Sequence, residues 1–548
     1  MIFNQFKKKK DQQIETWNQI KDESFNFDLI ASYFENRKSY ASIQTINDKT
    51  INDIDLHELF MFIDRTNSRI GQQYLLNKLF TLKSPPEFEM QETLITYFND
   101  NQKVTNNIKQ LLSHLNKHEA YYISDLFSTQ YVQKPQWYWI IPLLSVSSIS
   151  ALILTFFIPK MIFLLIGLLL INIVVHYWNK RNIFVYMDSI PQLLILCKTV
   201  RELTQSGIPS TPEDASVQSS LKSMSSLKIR FSVFKLEAKS NGSEIAALVL
   251  LIVEYIKILL LLEPQIVFNT LSKLEEKQND IRTLFEYVGE IDTAISIASL
   301  RATVPYWCKP LFISKNKHLN AQDIYHPLIL NAVSNTLDIN GKSILLTGSN
   351  MSGKTTFIRT IAVNTLLAQT IHTVFANGFE LSPMRIFSAI RISDDLLNDK
   401  SYYMEEVNTI KAMIDESNSN HSNIFFLDEI FKGTNTIERI AAGKAVLSYL
   451  SGNNNLVFVS THDLEIATLL ADTYTLYHFA ETVDDKTIQF DYKLKPGKLT
   501  TKNAIRILEL NNYPTQIINE AREISDSLKS LNKSAHSGLI SRSTTKPS

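Results

Sequence analysis

The run Gly348-Ser349-Asn350-Met351-Ser352-Gly353-Lys354-Thr355 satisfies the spacing G-x-x-x-x-G-K-[ST] in full. Its glycines let the backbone curl so that successive N–H groups point inward, the arrangement that cradles phosphate oxygens. Lys354 brings a positive charge to β- and γ-phosphates, Thr355 brings a hydroxyl for Mg2+, and Thr356 opens the helix that follows. Further along, the apolar run Asn423-Ile424-Phe425-Phe426-Leu427 ends in Asp428-Glu429. Asp428 is placed to hold Mg2+, directly or through water, and Glu429 to orient or deprotonate an attacking water. A second apolar run, Leu456–Ser460, ends in Thr461-His462-Asp463. There His462 suits sensing of the γ-phosphate or stabilisation of the transition state. The chemistry these groups imply is hydrolysis of ATP with Mg2+, with Glu429, His462 and Lys354 as the catalytic set and Thr355 and Asp428 on the metal.

Such groups need strands to deliver them. Ile344-Leu345-Leu346-Thr347 reads as a buried strand before the Gly-rich loop, and Phe357–Leu367 as the helix after it. From about Lys315, short β-rich runs alternate with helical stretches: Ser343–Thr347, Asn423–Leu427, Leu456–Ser460, Thr473–Phe479 and Ile488–Leu494. That alternation predicts an α/β sheet with a parallel core, with the polar residues at the C-terminal ends of its strands, where open α/β sheets bind ligands.

The first half has a different texture. Apolar positions at Leu56, Leu59, Phe60 and Ile63, then Ile70, Tyr74, Leu75 and Leu79, follow helical spacing, and Ser84-Pro85-Pro86 separates one helix from the next. Residues 135–159 carry no charge, and neither do residues 161–179, with Lys160 between the two runs. Trp137 and Trp139 open the pair, Tyr177 and Trp178 close it, and Lys134, Lys180 and Arg181 flank it. Two apolar stretches of membrane-spanning length, aromatic at the boundary and basic outside it, predict a transmembrane helical hairpin over 137–178. Its charge bias places both ends, and the ATPase part, on the cytoplasmic side. A third apolar run, Ile245–Leu262, contains Glu254 and Lys257 and reads as a core helix of the helical bundle, with membrane contact as the alternative.

Composition bounds the rest. The 548 residues carry 55 basic and 55 acidic side chains, so no overall positive field draws nucleic acid, and any DNA contact must come from local patches. Glycine (14) and proline (16) are sparse, as in mostly helical proteins. The two cysteines, Cys197 and Cys308, have no metal-ligand spacing and cannot form a disulfide framework. Lys7–Lys10 has no apolar run behind it, so Met1–Lys10 is not a secretory signal. The expected layout is a polar, basic arm at 1–26, a helical domain at 27–317 containing the hairpin, an ATPase domain at 318–530 and a disordered tail at 531–548.

The residues between the motifs resemble one family of P-loop ATPases, the MutS proteins. Thr347–Thr356, with its Asn350-Met351 pair, is similar to the MutS loop. Tyr325-His326-Pro327-Leu328 resembles its upstream His-Pro element. Ser401-Tyr402-Tyr403-Met404-Glu405-Glu406 is similar to its Ser-Thr-Phe-Met signature, and Asp428–Thr436 to its Walker B segment. Phe458–His462 is similar to its Thr-His strand. More weakly, Ile46–Ile51 and Ile63–Gly71 resemble the start of its helical core or lever. The resemblance implies an α/β P-loop NTPase domain (ABC-ATPase-like, MutS domain V) behind a mostly α-helical core and lever domain, here with an inserted hydrophobic hairpin. It further implies His326 among the nucleotide-binding residues, Ser401 reaching the nucleotide of a partner subunit, a dimer with composite ATP sites, and ATP-driven clamp motion on mismatched or branched DNA. Segments after Gly433 and near Tyr513-Pro514 would help form the dimer. The stretch ahead of residue 40 is too short for the family's mismatch-reading domain. Ser352 stands where the family has glycine, and Lys502-Asn503-Ala504 replaces its Ser-aromatic-Gly. An ABC-transporter ATPase is disfavoured, because no Leu-Ser-Gly-Gly-Gln-like signature precedes Asp428. The alternative function is a membrane-associated mechanochemical ATPase that does not bind DNA.

Overall fold

The computed structural model describes residues 21–36, 43–83, 88–127, 135–209, 212–225, 254–349, 351–391, 402–483, 488–499, 504–511, 513–525 and 527. Ser84-Pro85-Pro86, Asn350, Ser401, Lys502 and Asn503, with residues 1–20 of the arm and the tail, lie outside them. Contacts divide the chain into two units: residues 1–46, 56–307 and 366–373 form one, and residues 47–55, 308–365 and 374–548 the other. The principal junction falls after Trp307, ahead of the expected 317/318.

The first unit is helical apart from β1 (Gln44–Thr45) paired with β2 (Thr81–Leu82). The helical spacing read at Leu56–Leu79 corresponds to helices Leu56–Ile63 and Arg69–Phe80, and every apolar position named there is buried except the half-buried Tyr74. A chain break between them is fixed by chemistry. Ser68 caps the second helix by accepting from the Gly71 N–H at 2.9 Å. The buried carboxylate of Asp292 in turn accepts the N–H groups of Asn67 (2.8 Å) and Ser68 (2.8 Å). A side chain at Gly71 would run into that carboxylate, its Cβ falling 2.2 Å from Asp292 Oδ2.

Four further helices are α1 (Ile140–Thr155), α2 (Ile162–Thr204), α3 (Leu262–Glu275) and α4 (Gln278–Thr303). Helix α4 is the axis of the unit, burying Leu284, Phe285, Val288, Ile291 and Ile295. The uncharged runs fold as a hairpin: α1 follows a 3-10 turn at Gln136–Trp139, a second turn at Pro159–Met161 makes the tip, and the first half of α2 returns. Two stretches, Gln136–Thr155 and Pro159–Trp178, are long and apolar enough to cross a membrane, and only 22% and 17% of their apolar windows are buried. Phe156 and Phe157 at the tip are 85% and 79% exposed. A core helix of a water-soluble bundle would bury these positions. Only the end of the run Ile245–Leu262 lies among the described residues. Its residues 245–253 lie outside the described set, and the helical turn at 254–260 breaks at Leu261, whose φ is 45°.

The second unit is built on a six-stranded sheet. Its strands are β6 (Ser343–Thr347), β8 (Arg385–Ala389), β9 (Asn423–Asp428), β10 (Asn455–Thr461), β11 (Tyr474–His478) and β14 (Lys495–Pro496), in the order β14-β11-β6-β10-β9-β8. All neighbours are parallel except β14, which is antiparallel to β11. Strands β6 and β10 are buried at every residue, which is why they read as continuous apolar runs in the sequence. A second sheet, ordered β3-β7-β4-β5, comprises β3 (Leu311–Phe312), β4 (His318–Ile324), β5 (Asn335–Asn340) and β7 (Gly378–Leu381). The expected strand Ile488–Leu494 is shorter: β13 (Ile488–Phe490) ends early and pairs with β12 (Glu481–Val483) as a separate antiparallel ribbon. Helices α5 (Lys354–Ala368), α6 (Tyr402–Ser417) and α7 (Thr436–Leu450) complete the frame. Leu345, Phe425, Leu427, Val457, Val459, Leu447 and Tyr474 form its core.

One short piece of the N-terminal half belongs to this unit. The helix Asp48–Asp53, capped by the Asn47 side chain, packs beside β8. The buried carboxylate of Asp53 accepts from Ser388 Oγ (2.6 Å) and from the N–H groups of Ile390 (2.9 Å) and Arg391 (2.8 Å). Asp55 pairs with Arg391 and, at 3.2 Å, with Arg359 of α5.

Candidate active site

The parallel register brings the sequence motifs to one edge. Ser460 stands level with both Leu346 and Asp428, and Thr461 stands level with Thr347. The Gly348–Thr355 loop, the Asp428-Glu429 pair and His462 therefore leave three adjacent strands at the same end of the sheet. Helix α5 starts at Lys354, so its N-terminal amides face the loop.

The loop is tight. Gly348 has φ 154° and Gly353 φ 101°. A Cβ at Gly348 would fall 2.9 Å from the Phe479 carbonyl oxygen, and one at Gly353 would fall 3.1 Å from the Tyr492 ring. Ser352 is buried and donates its hydroxyl to the Ser349 carbonyl at 2.8 Å, so its side chain staples the loop. Lys354 Nζ donates to the carbonyls of Gly348 and Ser349, both at 2.8 Å. Burial lowers the Lys354 pKa, while Glu429 and Asp428 oppose that shift. Ser349 Oγ donates to Glu481 at 3.0 Å. Met351 is exposed.

Thr355 Oγ1 lies 2.7 Å from Asp428 Oδ2, and Ser460 Oγ donates to Asp428 Oδ1. A hydroxyl and a carboxylate meeting there are hard oxygen donors of the kind Mg2+ takes together with substrate phosphates. Among the described residues no group of three His, Cys, Asp or Glu side chains forms a metal site of another type. Thr355 and Asp428 thus fit the ion expected of them.

Glu429 occupies the left-handed region (φ 58°), as does Phe431 (φ 57°). Strain of this kind persists only where neighbours impose it. The Glu429 N–H bonds to the Ser460 carbonyl at 3.0 Å. Its carboxylate meets His462 Nδ1 at 3.1 Å and Lys432 Nζ at 3.1 Å. The hydrogen bond from His462 is the main reason that the Glu429 pKa falls to about 2, and the same bond raises the His462 pKa. Glu429 is thus held ionised with its side chain fixed. The fully buried Glu406 of α6 accepts from the Phe431 N–H, tying that helix to the strained turn.

Beside the loop lies a cavity of about 570 Å³. His326, Leu330, Asn335, Thr355, Phe479 and Tyr492 are among its walls. Its size and mixed lining suit a small-molecule ligand. His326 is buried, and burial with Arg359 nearby lowers its pKa to about 4, so it is neutral at physiological pH. Asn335 fixes the far wall, donating to the Tyr492 carbonyl at 3.1 Å and accepting from the Leu494 N–H at 2.7 Å.

The structure brings together Gly348, Ser349, Ser352, Gly353, Lys354, Thr355, Thr356, Asp428, Glu429 and His462, and it places His326 on the cavity wall. Ser401 and Asn350 fall outside the described residues. Sequence reasoning gave no role to Glu406, Glu481, Asn335 or Tyr492. Glu406 was visible as an acid inside an otherwise apolar-faced helix. Tyr492 was masked by a β-like pattern, since Ile488–Leu494 has strand composition.

Comparison with known proteins agrees with this reading at the level of the family. Residues 344–529 match the family model for MutS domain V. The chain is 28% identical over 301 residues to DNA mismatch repair protein MSH3 of Saccharomyces cerevisiae, covering 52% of this chain and 29% of that protein. It is 30% identical over 254 residues to DNA mismatch repair protein MutS of Staphylococcus haemolyticus (44% and 28%). Against DNA mismatch repair protein MutS of Clostridium kluyveri it is 26% identical over 343 residues (60% and 38%). Less than two-fifths of each of these relatives is matched. Residues 344–529 are thus similar to MutS domain V, and these similarities support membership of the MutS family.

Proposed function

We propose that this chain is a MutS-type ATPase that couples ATP hydrolysis to movement of its helical part on DNA, and that its hairpin tethers it to a membrane. The observation that carries the ATPase reading is the convergence of Lys354, Thr355, Asp428 and Glu429 at the ends of adjacent parallel strands. The triphosphate would lie along the Gly348–Thr355 amides, with the nucleoside in the cavity walled by His326 and Tyr492. Bound through Thr355 and Asp428, Mg2+ would neutralise phosphate charge. Glu429, held ionised by His462 and Lys432, positions water for in-line attack, and Lys354 and His462 stabilise charge growing on the transferred group. A dimer would complete each site through Ser401 of the second subunit.

DNA as partner is carried over from relatives described as DNA mismatch repair proteins, and the membrane from the exposed apolar hairpin. The hairpin also favours the second reading, a membrane mechanochemical ATPase indifferent to DNA. Phosphate release by the purified full chain, with and without homoduplex, mismatched and branched DNA, separates the two. Stimulation by one DNA form supports the first reading, and turnover unmoved by all of them leaves the second. Lys354→Ala should abolish turnover, and Glu429→Ala should bind ATP without hydrolysing it. Wild-type turnover in Glu429→Ala would remove the assignment.

A further inference from the structure

Among the polar side chains of the apolar hairpin, Ser145 and Ser148 on α1 and Asn172 on α2 face inward. All three are buried. Asn172 Nδ2 donates to Ser148 Oγ at 3.0 Å and to the Leu259 carbonyl at 2.9 Å. Ser145 Oγ donates to the Leu260 carbonyl at 2.6 Å, and Gln265 Nε2 reaches both that carbonyl (3.2 Å) and Ser145 Oγ (2.8 Å).

The two carbonyls need these donors because their helix is cut. Leu261 sits at φ 45°, and Pro264 has no N–H to offer the Leu260 carbonyl four residues earlier. In water such carbonyls would be hydrated. In a bilayer every backbone polar group must be satisfied by protein, and broken helices occur there only where the protein does so. The hairpin supplies the donors at the point of the break.

The depth is consistent across three elements. Asn172 lies six residues before Trp178, and Ser145 six residues after Trp139, about 9 Å along each helix at its usual rise. The Trp137 and Trp178 rings meet at 4.7 Å at the open end of the hairpin. At that end His176 faces Glu254 at 3.5 Å, and Glu254 also faces Lys257 at 3.6 Å. After the break, α3 returns, and Phe268 meets Tyr138 with ring centroids 5.4 Å apart. From Glu254 at the aromatic end, the described segment therefore runs to the Asn172 level and comes back.

Building on the membrane reading of the hairpin, we propose that residues 254–268 form a re-entrant helical break inside the same apolar layer. Among the described residues the membrane sector then has three elements, sutured at the Leu259 and Leu260 carbonyls by Asn172, Ser145 and Gln265. The exposed side chains of Tyr255 (65%) and Ile256 (45%) face lipid.

Nitroxide labels test this in the full chain, reconstituted in phosphatidylcholine–phosphatidylglycerol vesicles with Cys197 and Cys308 replaced by Ala. Labels go one at a time at Ile256→Cys, at Leu152→Cys on the hairpin and at Tyr449→Cys on the ATPase unit. Collision with oxygen reports lipid, and collision with a nickel chelate reports water. The expected result is oxygen-rich, nickel-poor signals at 256 and 152 and the reverse at 449. A nickel-accessible label at 256 beside a nickel-excluded label at 152 overturns the re-entrant segment and leaves the hairpin standing. Nickel access at 152 overturns the membrane reading itself. Asn172→Leu should expose position 256 to nickel while position 152 stays protected, and unchanged protection at 256 would refute the suture.

Discussion

Glu406 offers a test of how the candidate site is held together. Its carboxylate is fully buried in α6 and accepts the N–H of Phe431, two residues beyond the proposed water-positioning Glu429. Glu429 and Phe431 both have positive φ, each costing about 1–3 kcal/mol in a non-glycine residue. Burial raises the Glu406 pKa, so the bond is counted as an ordinary one, and leaving the Phe431 N–H buried without an acceptor costs about 1–3 kcal/mol, comparable to the strain of one such residue. In Glu406→Ala the turn loses that acceptor and leaves a backbone N–H unsatisfied. If about 2 kcal/mol is then needed to restore the strained turn at each turnover, kcat falls about 30-fold. ATP affinity should hold, because the phosphate loop and cavity walls do not touch Glu406. The assay is steady-state ATP hydrolysis with the KM for ATP measured in parallel, Glu406→Gln serving as a partial rescue that keeps one acceptor oxygen. A Glu406→Ala enzyme with wild-type kcat, or one losing KM and kcat together, would refute the positioning argument.

Other consequences are equally direct. The His462–Glu429 bond raises the His462 pKa, so its contribution to stability is complete below the unfolded value near 6.5 and is lost as pH rises through the higher folded value. Urea unfolding of His462→Gln should differ from wild type by under about 1 kcal/mol at acid-to-neutral pH, and the difference should vanish in alkali. For Glu429, held at about 2, the contribution is present above the unfolded value near 4.5 and fades only as pH falls toward 2. Its ionisation should therefore put no limb on the activity profile near neutrality. Asp53→Ala removes three hydrogen bonds from a buried carboxylate and should destabilise the second unit by about 3 kcal/mol, read as a lower denaturant midpoint. Val146→Asp puts a charge midway along the first apolar stretch at a cost of about 3 kcal/mol in lipid, so the membrane-bound share of the expressed protein should drop. An unchanged distribution would count against insertion.

The sequence alone determined the phosphate loop, the acid pair and the strand that carries His462. Loop chemistry is local, since it depends on which residues can take unusual backbone angles or offer charge within eight consecutive positions. The strands were equally legible, because a parallel strand covered on both faces is apolar through its middle, and β6, β9 and β10 are. The hairpin was legible for the same kind of reason, a length of chain without charge. The tertiary structure decided what depends on partners distant in sequence. Asp53 belongs with the second unit because Ser388, Ile390 and Arg391, more than three hundred residues later, supply its donors. Tyr492 faces the cavity because Asn335 pins the chain around it, although its neighbours have strand composition. The Ile245–Leu262 run looks continuous by hydropathy. Its helix nonetheless breaks at Leu261, because Pro264 removes a donor and Asn172 and Ser145 provide others, and only the folded chain brings those donors to the break.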